Sequence, residues 1–154
     1  QGDAPMPGDW FLPLLAAAVA GALMPAQGAV NSWLARRSSL AMATLWTHAT
    51  AVVIVVLILA VLPAARSPWG PLLRGPWPSL LGGAMGVAIT WLVAAAVTPL
   101  GMVPATTGIL VAQVLTATVL DHFGLLGLDH APFTWSRGVG AGLLVLGAWL
   151  LLKK

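Results

Sequence analysis

From Ser79 to Leu120 the chain carries no charged residue. A single helix of that length would run about 60 Å, roughly twice the hydrocarbon core of a bilayer. The run must therefore fold back on itself, and Pro99, Gly101 and Pro104 mark the reversal. This gives a helix from Leu80 to Val97 and another from Pro104 to Phe123, the second with proline in its first turn. Three further apolar runs are long enough to span with some tilt: Trp10 to Leu34, Leu40 to Leu62 and Thr134 to Leu152. A short turn, Arg36 to Ser39, separates the first two, and Pro63 stops the second. The expected architecture is an all-α integral membrane protein, with five transmembrane helices in one domain over residues 10–154.

Composition supports the same class. The chain is 59% hydrophobic and 7% charged, against roughly 25% charged for a soluble domain. It has no glutamate, and its charged residues lie outside the long apolar runs or within their end turns. The net charge of +3 comes from loops and termini. No basic face with interleaved aromatics is present, so no nucleic-acid partner is expected. The absence of cysteine excludes disulfides and thiol chemistry. The first apolar run is too long, and too continuous with Asn31, to read as a cleavable signal peptide. Residues 1–9 hold Pro5, Pro7 and Gly8 and are expected to be disordered. Met6 reads as a natural start, with Gln1 to Pro5 added ahead of it. Between the second and third helices, Pro68, Pro71, Pro76 and Pro78 with Trp69 and Trp77 suit a loop in the headgroup layer.

An odd number of spans puts the termini on opposite sides. With the amino terminus outside, the inner loops hold Arg36, Arg37, Lys153 and Lys154, and the outer loops Arg66, Arg74 and Arg137. Four against three is a weak bias under the positive-inside rule. Either one orientation wins narrowly, or the chain inserts both ways and pairs with an inverted copy of itself.

Polar residues inside the spans are few. Gln27 and Asn31 lie four apart on one helical face, in a stretch that also holds Gly21 and Pro25. An unmet amide in hydrocarbon costs several kcal/mol. This face is therefore expected to turn inward, either to line a cavity or to bond neighbouring helices. His48 is the one titratable side chain well inside an apolar run. An intramembrane ionisable residue is a functional candidate, here for proton coupling. The alternative is a neutral histidine bonding Thr44 or a neighbouring helix. Gln113 sits near the middle of the fourth span, with Thr106 and Thr116 on its face. Of eight tryptophans, Trp10, Trp33, Trp69, Trp77, Trp135 and Trp149 fall near helix ends or in the proline loop, as interfacial belts do. Trp91 does not, and Trp46 only marginally; either could stack on a flat or cationic solute, or simply pack.

Asp121-His122 and Asp129-His130 share the turn before the last helix. Adjacent helical residues point apart, which argues against a metal site and for a structural turn, with Asp121 pairing with Arg137. Gly82 and Gly86, and Gly138 and Gly142, form two Gly-x-x-x-Gly pairs that permit close helix or dimer packing. No phosphate loop, zinc spacing or Ser-His-Asp array is present, so neither an enzyme nor a cofactor is expected.

Several segments together resemble the short, five-helix YdcZ-type branch of the drug/metabolite transporter superfamily. They are Ala20-Gly-Ala-Leu-Met-Pro-Ala-Gln-Gly-Ala-Val-Asn31, Leu80-Leu-Gly-Gly-Ala-Met-Gly86, Pro104-Ala-Thr-Thr107, and Gln113 followed by Asp121-His-Phe-Gly-Leu-Leu-Gly127. Two departures stand out: Trp46 and His48 where small or apolar residues are expected, and Gly28 where alanine is. The resemblance implies a bacterial inner-membrane protein that forms half of an inverted-repeat transporter. It implies an antiparallel, dual-topology homodimer with a substrate site near the bilayer midplane. Related small multidrug pumps use a membrane-buried glutamate, which this chain lacks.

The expected function is secondary transport of a small organic solute, metabolite or drug. Gln27, Asn31, Trp46, His48, Trp91 and Gln113 are the candidate lining. The alternatives are a non-transport subunit that stabilises or regulates a partner, and a passive channel.

Overall fold

The computed structural model describes residues 11–62, 68, 70, 74, 81–125 and 130–153. Residues 1–9, Trp10, Pro63, Trp69, Trp77 and Asp129, each named above, lie outside that set. Five helices follow in order: α1 Phe11–Arg37, α2 Leu40–Val61, α3 Leu81–Leu100, α4 Met102–Phe123 and α5 Trp135–Leu152. All five are long and apolar enough to cross a membrane, and among the described residues there is no strand.

Helix α1 continues past the expected end at Leu34, so Arg36 and Arg37 form its last turn. Cations are favourable there, beside the unpaired carbonyls of the helix terminus. The turn shrinks to two serines. Ser38 returns its hydroxyl to the Leu34 carbonyl at 2.9 Å. Ser39 caps α2 by accepting from the Met42 amide at 3.2 Å.

The break between α3 and α4 is shorter than expected. Pro99 lies inside α3, and Gly101 alone separates the two helices. Proline is tolerated because it removes one amide, the partner of the Ala95 carbonyl, in a turn about to end. Gly101 has φ +83° and ψ 171°, a region essentially confined to glycine. Pro104 occupies the third position of α4, where an amide has no helical partner to lose. At the other end, Gly124 closes α4 in the left-handed conformation (φ +57°). Thr134, expected as the first residue of α5, is its N-cap and accepts from the Arg137 amide.

The chain divides into two compact units, residues 1–98 and 99–154. In the first, the buried positions are small or polar: Gly28, Asn31 and Ser32 on α1, Ala43 and Thr44 on α2, and Ala94 and Val97 on α3. In the second they are Ala105, Thr107 and Ala148. The large apolar side chains, including the run Val52 to Ile58, are exposed. This reverses the soluble pattern. Lipid is as apolar as leucine, so helices gain by bringing small residues together and leave bulky ones outward.

Close approach is visible at Gly28. A Cβ there would lie 2.9 Å from Val93 Cγ1 on α3. Gly28 is thus a glycine over which α3 packs.

Candidate functional site

The first unit holds a polar seam between α1 and α2. Asn31 is buried, and Thr47 donates its one hydroxyl hydrogen towards Asn31 Oδ1 at 2.7 Å, sharing it with the Ala43 carbonyl at 2.9 Å. Both residues lie about two helical turns from the serine turn, so the hairpin itself brings them level. His48 sits one residue further along α2. Its Nδ1–H donates to the Thr44 carbonyl at 2.9 Å, which leaves the lone pair on Nε2. That nitrogen faces α3, 3.5 Å from where a Cβ on Gly86 would stand. A Cβ at position 86 would thus stand in ordinary van der Waals contact with the imidazole.

A second polar chain ties α1 to α3. Thr98 donates to the Ala94 carbonyl at 2.8 Å, so its oxygen must accept from Ser32, 3.1 Å away. Ser32 in turn accepts from Arg36 Nη1 at 2.6 Å. Ser32 is almost completely buried. Sequence reasoning passed over Ser32 and Thr47. The only signal for Ser32 was its place one turn before Arg36 on the same face. For Thr47 it was its level with Asn31 across the turn.

The remaining candidates are outward. Gln27 is exposed although it stands one turn before buried Asn31, and it makes no side-chain hydrogen bond among the described residues. Trp46 on α2 and Trp91 on α3 are exposed. In the second unit Gln113 is exposed on α4, with Thr116 exposed and Thr106 half-buried. Of the paired glycines, Gly86 meets His48 and Gly138 lies under the Phe133 ring, whereas Gly82 and Gly142 face open space.

Around the α4–α5 loop, Arg137 Nη1 lies 3.9 Å from Asp121 Oδ2, the ion pair expected from the sequence. His122 Nδ1 accepts from the Phe133 amide at 3.2 Å, and its ring centroid is 6.1 Å from that of His130. Among the described residues no three of His, Cys, Asp and Glu gather at one point.

A family model described as "Putative inner membrane exporter, YdcZ" matches residues 12–150, nearly the whole chain. The chain belongs to the YdcZ family. Family and fold together make it an all-α, multi-pass protein of the inner membrane, as the sequence resemblance implied. The YdcZ description also supports a role in membrane transport rather than in chemical conversion. A search of the curated proteins and of the solved structures finds no match.

Proposed function

We propose that the chain is a secondary transporter of a small organic solute, acting as an antiparallel, dual-topology homodimer with its substrate site near the bilayer midplane. The observation that carries this reading is Gln27. An uncovered amide midway along a spanning helix cannot be left against acyl chains, where it would cost several kcal/mol. A second copy in the opposite orientation supplies a covering wall, and the weak charge bias of the loops supports such a pairing. The solute-facing candidates of this reading are Gln27, Asn31, Trp46, His48 and Trp91 in the first unit and Gln113 in the second. The open faces at Gly82 and Gly142 are suited to close packing against the second copy. His48 is the proton-coupling residue of this reading, with Nε2 as the atom that takes the proton.

Single cysteines at Ser38 and Ser67 test the pairing, because the chain has no cysteine of its own. Each should label in part from either side of the membrane. Flux into proteoliposomes, with solutes chosen by thermal-shift screening, should saturate and should fall in Gln27→Leu without loss of thermal stability. One-sided labelling of the unmodified chain would overturn the self-inverted dimer. Flux that does not saturate would indicate a channel, and no flux a structural subunit.

A further inference from the structure

Within the second unit, α4 and α5 border an open groove of about 370 Å³ whose two ends differ in chemistry. Its deeper wall is Val114 and Ala117 on α4 with Gly140 on α5. A Cβ at Gly140 would meet nothing within 4 Å, so the floor of the groove is open. Thr118 also lines it, but its hydroxyl hydrogen is already given to the Val114 carbonyl at 2.8 Å. The groove therefore offers an apolar slot below its mouth.

The mouth carries Asp121 and Arg137. Their charged atoms are 3.9 Å apart, beyond hydrogen-bond reach, and the side chains of Arg137 and Asp121 are 44% and 45% exposed. Arg137 Nη1 donates to the Ala131 carbonyl at 3.3 Å, which orients the guanidinium and leaves others of its five N–H donors available. The Asp121 carboxylate accepts no hydrogen bond among the described residues. Trp135, two residues before Arg137, is 85% exposed, and Phe133 is exposed beside it. Aromatic residues at the ends of spans sit at the headgroup level. The charge pair thus lies in the headgroup layer, while Val114, about two turns deeper along α4, lies among acyl chains.

We propose that this groove seats one phosphatidylethanolamine molecule, its phosphate on Arg137, its ammonium on Asp121 and an acyl chain in the slot lined by Val114, Ala117 and Gly140. The headgroup follows from the pair of charges. A guanidinium alone would take any phospholipid phosphate. The adjacent carboxylate disfavours a lipid with net negative charge. A choline headgroup has no N–H to give a carboxylate, whereas a primary ammonium has three donors.

The test uses the full chain purified in detergent, stripped of lipid and exposed to mixed micelles of phosphatidylethanolamine, phosphatidylcholine and phosphatidylglycerol in equal amounts. Bound lipid is counted by native mass spectrometry. Phosphatidylethanolamine should be retained about tenfold over either competitor, the scale of one hydrogen bond to a charged group. Asp121→Asn should remove the preference over phosphatidylcholine while lipid is still bound. Arg137→Gln should reduce retention of all three lipids. Gly140→Leu should fill the slot and release the lipid, with helicity by circular dichroism showing that the variant is folded; if it is not folded, the Asp121→Asn result decides. Inorganic phosphate should not displace the bound lipid. Equal retention of the three lipids, preference for phosphatidylglycerol, displacement by phosphate, or selectivity unchanged in Asp121→Asn or in folded Gly140→Leu would each overturn the proposal.

Discussion

Two glycines that look alike in sequence behave differently at the level of single atoms. A Cβ on Gly28 would meet Val93 Cγ1, part of a stiff, branched side chain in the helix contact. Gly28→Ala should therefore lower thermal stability in detergent, by about 1–3 kcal/mol as overpacking typically does. Val93→Ala in the same chain should restore most of the loss. A Cβ on Gly138 would lie 2.8 Å from Phe133 Cζ, the far end of a half-exposed ring that can swing away. Gly138→Ala should leave the melting temperature nearly unchanged. No sequence rule distinguishes these positions, because the difference lies in which side chain stands opposite. His48 was legible as a residue out of place in an apolar run, and so was its bond to Thr44, which is local. Its neighbour Gly86 was not, since that contact crosses from α2 to α3. If His48 carries the coupled proton, wild-type flux should change with pH, and flux in His48→Ala should be flat. An unchanged pH profile in the variant would make it a packing histidine.

At the scale of helices, existence was easier to read than ends. The apolar runs are long, and the cost of exposing backbone to lipid makes helix the one open form for such spans. Helix ends depend on single residues. Pro99 reads as a turn residue, yet α3 runs through it: the ring removes one hydrogen bond and crowds the Ala95 carbonyl, but only Leu100 follows it in the helix. The interruption falls instead on Gly101, whose backbone angles a side chain resists. Gly101→Ala should destabilise by about 1–3 kcal/mol, the cost of that backbone region, and a thermal melt would show it. Pairing of α1 with α2 rests on the Asn31–Thr47 bond as well as on small residues. Thr47→Val keeps the shape and strands the buried Asn31 carbonyl oxygen. The expected loss is about 1 kcal/mol, within the range measured for bonds between helices in bilayers. Adding Asn31→Leu should recover part of it, since replacing both partners removes the unmet group.

For the whole molecule, class and span number were legible because they follow from length, charge and hydrophobicity alone. The candidate site was legible only as a set of residue types. Burial of Asn31 beside exposed Gln27 depends on which helices cover α1, and no periodicity records that. Orientation remains a matter of loop charge. On the proposed dual-topology reading, two lysines added beside Arg37 should bias insertion to one side, read by cysteine labelling, and should lower flux until a copy biased the other way is co-expressed. Where such charges are placed matters. Both arginines are exposed, but Arg36 donates to Ser32, which bonds Thr98 on α3, whereas Arg37 lies over the Trp33 ring of its own helix at 4.1 Å. A substitution at Arg37 changes chiefly the electrical asymmetry of the chain. The same substitution at Arg36 also removes a donor from the buried Ser32 oxygen that bonds Thr98, so its effect on topology is mixed with an effect on the contact between α1 and α3. One guanidinium thus bears both on insertion and on the polar chain that joins α1 to α3, whereas its neighbour bears chiefly on the first.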